Sequence, residues 1–166
     1  MKQDELIKDY YKKIYKLALY QLQDKNEAED LTHDIFFKVL NSLDSFQSRS
    51  DVYTWIYRIA LNTIRNYLRR KTIVKFISFE TDPTEHSTLS IIVSEDPALS
   101  SEMEQEKMMK LKKLESAIKK LSNREKTAFF FFHYEKMKQK EIAEVMGTTV
   151  SAVESLVFKS MKKIKK

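Results

Sequence analysis

Apolar side chains recur every three or four residues through most of this chain, and strict apolar/polar alternation is hard to find. Leu6, Ile7, Tyr10, Ile14, Leu17, Ala18 and Leu22 predict a helix over residues 4–22. Ala28, Leu31, Ile35, Phe36, Val39, Leu40 and Leu43 predict a second over 26–43. Asn26 suits its N-cap, and Glu27, Glu29 and Asp30 fall in the first turn, where the helix dipole favours acids. The polar, Ser-rich segment Asp44 to Asp51 reads as a loop. A third helix is predicted from about Val52 to Lys71, with Trp55, Ile56, Ile59, Ala60, Ile64 and Leu68 on its buried side. Residues 77–101 lose the helical period. Both prolines, Pro83 and Pro97, lie there among Ser, Thr and acids, as in an extended or partly disordered linker. Its apolar patch Leu89 to Val93 is either a local anchor or a segment that orders on a partner. Helical spacing resumes over 102–121. Ser122-Asn123-Arg124-Glu125 matches a capping box and opens a helix that carries Ala128 to Phe132. Helices over 138–146 and from about Val150 to the end complete the pattern.

Composition sharpens this to an all-α fold. One Gly and two Pro leave few helix breakers, and 42% hydrophobic residues suffice for packed cores. The expected architecture is two small helical domains, residues 1–76 and 102–166, joined by an acidic flexible linker over 77–101. The chain has no Cys, and His33, His86 and His133 are far apart, so thiolate sites and HExxH-type metal sites are excluded. No activated nucleophile or Gly-rich phosphate loop stands out, so neither catalysis nor a cofactor or metal is expected. The apolar run Ala128 to Phe132 is far shorter than the ~20 residues that span a bilayer. The first residues, Met-Lys-Gln-Asp-Glu-Leu, lack a signal-peptide core. A cytoplasmic protein with no stable membrane insertion is expected.

The formal net charge of +6 is unevenly spread. Residues 51–76 hold six basic side chains against one acid, and residues 107–166 hold 16 against six. Between them, residues 77–106 hold eight acids and no base. Two basic blocks around an acidic spacer suggest two contacts with a polyanion, because Lys and Arg gain affinity by releasing counterions from phosphates. Basic helices that merely aid solubility are the alternative.

The stretch Lys140 to Ser155 has helix-turn-helix spacing. Ile142, Val145 and Met146 give its first helix an inner face, and Ala143 permits close approach. Gly147, the only glycine, falls where the turn needs a positive φ. Val150, Val153, Leu156 and Val157 form the inner side of the second helix, with Thr149 or Ser151 as its cap. The phenylalanine run 129–132 reads as core on a preceding support helix.

These residues resemble a known family. Asp44 to Arg70, DSFQSRSDVYTWIYRIALNTIRNYLRR, is similar to the segment that reads the promoter −10 element in extracytoplasmic-function sigma factors of the sigma-70 family. Ala28 to Leu40 resembles the family's polymerase-binding helix, and the C-terminal motif resembles its −35-reading domain. The chain begins close to the first helix, where such proteins commonly carry a further stretch, and Glu154 and Leu156 stand where many members have basic residues. The resemblance implies core RNA polymerase, promoter DNA and an anti-sigma factor as partners. It implies that Arg58, Arg65, Arg69 and Arg70 neutralise phosphates of the −10 region. Asn62 and Asn66, four residues apart, present amides that can both donate to and accept from base edges. Tyr53, Trp55 and Tyr57 can stack at the edge of opening DNA, with core packing the alternative for Trp55. The loop Phe46 to Asp51 can hold an unpaired base. Asp30, Asp34 and Phe37 are candidates for the polymerase clamp, against a solvated acidic face with a core Phe. Ser151, Ser155, Phe158, Lys159 and Lys162 are candidates for the −35 contact. Two rival readings remain: a helix-turn-helix regulator that acts without polymerase, and a helical RNA-binding or RNA-modifying protein.

Overall fold

Burial of one apolar stripe per helix organises the protein, a computed structural model that describes residues 3–46, 51–78 and 101–165. Seven α-helices and one π-helical turn make up the regular structure of the described residues, with no strand among them. The chain divides into two compact units, the first built on the first three helices and including the short stretch Glu144–Gly147, the second built on the rest of the remaining elements. The predicted loop residues 47–50 and most of the predicted linker, 79–100 with its Leu89 to Val93 patch, lie outside the described residues.

In the first unit, α1 (Gln3–Leu22), α2 (Lys25–Asn41) and α3 (Val52–Ser78) pack pairwise. Leu6, Ile14, Leu17, Ala18 and Leu19 of α1 meet in the core with Ala28, Leu31, Ile35 and Val39 of α2 and Ile56, Tyr57, Ala60 and Ile64 of α3. Each such aliphatic side chain contributes about 1.5–3 kcal/mol when fully withdrawn from water. Two helix boundaries correct the sequence reading. The N-cap of α2 is Asp24, whose carboxylate accepts the Glu27 amide at 2.9 Å, and Asn26 lies inside the helix. Asp24 wins because Gln23 takes a left-handed φ of 55° that ends α1, which swings the next residue into the extended backbone a cap requires. The helix α3 runs to Ser78, past the predicted end at Lys71 and into the predicted linker.

The second unit holds α4 (Ser101–Lys119), α5 (Asn123–Phe129), the π-helical turn Phe130–Tyr134, α6 (Gln139–Met146) and α7 (Val150–Ile164). The capping box is present in full: Ser122 Oγ accepts the Glu125 amide, and the Glu125 carboxylate accepts the Ser122 amide at 2.8 Å. The phenylalanine run forms core as predicted at Phe130 and Phe131, both fully buried, while Phe129 and Phe132 are half-buried. The widened π-helical turn was not legible in the sequence. Phe130 and Phe131, the first two residues of that turn, are both buried.

Candidate nucleic-acid interface

On α3 the buried and exposed stripes separate cleanly. Thr54, Ile56, Tyr57, Ala60, Thr63 and Ile64 are buried, whereas Arg58, Asn62, Arg65, Asn66 and Arg69 are all exposed. Steps of three and four residues bring the exposed group onto one helix face. The Arg65 guanidinium donates to Asn62 Oδ1 at 2.7 Å, so the two predicted −10 residues are coupled before any ligand arrives. Arg70 turns back toward the Asn66 carbonyl at 3.4 Å. Tyr53 and Trp55 are half-buried at the start of α3. Trp55 lies 4.9 Å, centroid to centroid, from Phe46, and Tyr53 meets Tyr57 edge-to-face at 4.8 Å. Tyr57 is fully buried, which corrects its assignment as a stacking residue: its ring belongs to the core. Ile59 and Leu68, predicted as buried, are only half-buried.

The face of α3 is held in place from α2. Lys71 Nζ lies 2.5 and 2.6 Å from the Glu27 carboxylate oxygens, and Lys38 Nζ donates to Thr63 Oγ1 at 3.2 Å. Burial and the neighbouring Glu27 carboxylate raise the Tyr67 phenol above its ordinary pKa, so it stays protonated beside that acid. On the outer side of α2, Asp30, Asp34 and Phe37 follow at four and three residues and are all exposed. Phe37 is 69% exposed, so the core alternative for that residue is wrong.

In the second unit the turn between α6 and α7 is built as predicted. Gly147 adopts φ 62°, and the Thr148 amide closes on the Ala143 carbonyl at 2.9 Å. Thr149 is the cap of α7, its hydroxyl accepting the Ala152 amide at 3.2 Å, which leaves Ser151 exposed on the first turn. Ile142, Ala143 and Val145 are buried on α6. On α7 the buried stripe is Val153, Val157 and Ser160. Ser160 joins it because its hydroxyl is satisfied by the Val157 carbonyl at 2.7 Å. Val150, predicted as inner, is 40% exposed, since it lies at the helix start before the stripe meets the support helix. Ser151, Ser155, Phe158, Lys159 and Lys162 are all exposed, and Phe158 stands 70% open to solvent.

One buried charge was seen in the sequence only as a cap. Glu125 also takes Lys163 Nζ at 2.9 and 2.8 Å. Burial acts to raise its carboxyl, and the Lys163 ammonium with the Ser122 backbone and side chain outweigh that and hold it below the usual carboxylate range. His133, packed 4.5 Å from the Phe129 ring, is pushed down by burial and then by Lys136, and is therefore neutral near pH 7. Among the described residues no cluster of His, Cys, Asp and Glu could hold a metal, and no helix is long and apolar enough to cross a membrane.

Two helical units, each exposing a polar and basic helix face, one with a capped helix-turn-helix, define an all-α DNA-binding protein. The chain matches the sigma-70 region 2 family over residues 6–73 and the sigma-70 region 4 family over residues 111–164. It is 30% identical over 165 residues to the ECF RNA polymerase sigma-E factor of Haemophilus influenzae, covering 96% of this chain and 83% of the relative. It is 28% identical over 163 residues to the RNA polymerase sigma factor YlaC of Bacillus subtilis, covering 98% and 90%. The fold is shared with the sigma factor RpoE of Bartonella quintana, solved in complex with the anti-sigma factor NepR, at a TM-score of 0.75, 16% identity and coverage of 98% and 93%. The chain belongs to the extracytoplasmic-function sigma factors of the sigma-70 family: it is an RNA polymerase sigma factor, a factor of transcription initiation.

Proposed function

We propose that the N-terminal unit binds core RNA polymerase through Asp30, Asp34 and Phe37 and reads the −10 element through α3, and that the C-terminal unit reads the −35 element through α7. Residues 1–76 and 102–166 then carry the two promoter-reading functions, with 77–101 joining them. The observation that carries this reading is the α3 face, where Arg58, Asn62, Arg65, Asn66 and Arg69 are all exposed along one helix. Arginines there neutralise phosphates, and the amides select bases. Tyr53 and Trp55 flank that face where separated bases can stack. Phe37 supports the polymerase contact, because an exposed aromatic one turn beyond Asp34 suits a partner surface better than water. On α7, Ser151, Ser155 and Phe158 meet base edges while Lys159 and Lys162 meet phosphates. An anti-sigma factor that covers these faces restrains the protein in the cytoplasm until it is needed, and the chain performs no chemistry of its own.

Co-elution with purified core polymerase, followed by run-off transcription on genomic templates, tests this. The expected result is a stable complex that initiates at a defined set of promoters. A chain that binds duplex DNA but neither core polymerase nor initiates would be a regulator acting without polymerase. Phe37→Ala together with Asp34→Ala should weaken the polymerase complex without altering the melting temperature.

A further inference from the structure

Lys159, Lys162 and Lys163 crowd the C-terminal half of α7, and nothing in the sequence says which of them is paired within the protein. The structure does. All three are exposed, but Lys163, its side chain 45% exposed, directs its ammonium onto Glu125, a carboxylate whose side chain is only 7% exposed. Glu125 sits in the first turn of the support helix α5, tied there by the reciprocal bonds of its capping box with Ser122. Its two oxygens therefore join the start of α5 to the last turn of α7.

The placement on α7 matters mechanically. The helix is seated by the buried side chains Val153, Val157 and Ser160, with Ala152, Leu156, Met161 and Ile164 half-buried around them. Such packing opposes separation of the helices but resists rolling and sliding weakly, because apolar contact is non-directional. The ion pair is directional. It acts at the helix end remote from the Gly147 turn and the Thr149 cap, about 15 Å along the axis from Val153 at 1.5 Å per residue. Turn and cap fix one end of α7, and the Glu125–Lys163 pair fixes the other.

We propose that Glu125 and Lys163 are positioning residues for promoter recognition: they lock the rotation of α7 so that its exposed face is presented in one register, and Lys163 takes no part in phosphate binding. This rests on the reading of α7 as the −35 helix. Two consequences separate it from simple charge. Loss of Lys163 lowers sequence discrimination without changing the number of phosphates neutralised. Loss of the Glu125 charge frees Lys163, which then adds nonspecific attraction for DNA.

The test uses holoenzyme reconstituted from the full chain and core polymerase, on a promoter selected by that holoenzyme from a library randomised at −35. Cognate and scrambled −35 DNA are compared as a function of salt. Lys163→Met is expected to reduce the cognate-to-scrambled affinity ratio by roughly tenfold, about the worth of one mismatched base pair, with an unchanged salt slope. Lys163→Arg, which keeps the pair, should restore the ratio. Glu125→Gln, which keeps a hydrogen-bond acceptor for the Ser122 amide, should lower the ratio by tightening binding to scrambled DNA. If Lys163→Met lowers the salt slope by about 1, Lys163 is a phosphate contact and the proposal is wrong. It is equally overturned if Lys163→Met discriminates as the parent does, or if Lys163→Arg fails to rescue. Should Lys163→Met not fold, the Lys163→Arg and Glu125→Gln variants decide on the same ratio. Lys159→Ala, run in parallel, reports on α7 itself: an unchanged salt slope there removes α7 as the DNA face, whereas a normal response with full discrimination in Lys163→Met removes only the lock.

Discussion

The helices α3 and α7 solve one problem in two ways. Each exposes a polar, basic face, and each gives up one lysine near its C-terminal end to an acid on a neighbouring helix: Lys71 to Glu27 for α3, Lys163 to Glu125 for α7. The settings differ. The Glu27 side chain is 27% exposed and belongs to a helix that α3 already meets along an apolar seam, so the pair adds little to a long contact. The Glu125 side chain is 7% exposed, and α7 is a 15-residue helix with three fully buried positions. A buried carboxylate leans on its lysine more than a part-exposed one does, because water cannot replace the partner. Both lysines keep part of their side chain in solvent, 34% for Lys71 and 45% for Lys163, while their ammonium groups are directed at carboxylates.

The largest expected effect tests packing in the two units. Tyr57→Ala and Phe130→Ala each remove a fully buried aromatic ring and should cost about 3–5 kcal/mol in urea denaturation. Each should weaken contact with its own promoter element first. If Tyr57→Ala leaves stability intact and abolishes only promoter opening, Tyr57 is a stacking residue after all and the seam of α3 is looser than described.

Next in size is the effect on the base reading proposed for α3. Asn62→Ala should cost roughly 1–3 kcal/mol at one −10 position and relax preference there, while Arg65→Ala should lower affinity across promoters alike. Since Arg65 donates to Asn62 Oδ1, the double variant should cost less than the two single losses combined. Strict additivity in that cycle, on both duplex and pre-melted promoter DNA, would show that the two side chains act apart.

A smaller effect belongs to the turn before α7. A Cβ at Gly147 would meet nothing within 4 Å, so Gly147→Ala should cost only the left-handed backbone, about 1–2 kcal/mol. Gly147→Asn should recover part of it in thermal melts. A loss well beyond this range would mean that the turn must move on DNA.

The smallest effect is a pH dependence confined to the second unit. The folded-state pKa of Glu125 is lowered, so its contribution is complete above the ordinary carboxylate range and is lost as pH falls through the depressed value. Glu125→Gln should therefore lower stability at pH 7 and flatten the acid limb, so that variant and parent converge at low pH. An unchanged acid limb would place the origin of that limb elsewhere.

The helices, the helix-turn-helix and the capping box were legible in the sequence, because amphipathic spacing, a lone glycine and an S-x-x-E motif are local signals. The candidate faces were legible for the same reason: once one stripe of α3 or α7 is apolar, its polar residues must lie outside. Other features depended on backbone conformation and packing that the spacing of apolar residues does not report. Asp24 displaced Asn26 as a cap because Gln23 turned left-handed, and Tyr57 went inside because α1 and α2 cover that side of α3. Phe37 stayed outside because the apolar stripe of α2 was already filled by Ile35, Phe36 and Val39. The pairing of Lys163 depends on an acid 38 residues upstream that packing brings to it. Local spacing specifies which face of a helix seeks burial, but the partner that meets each charge depends on how the helices pack.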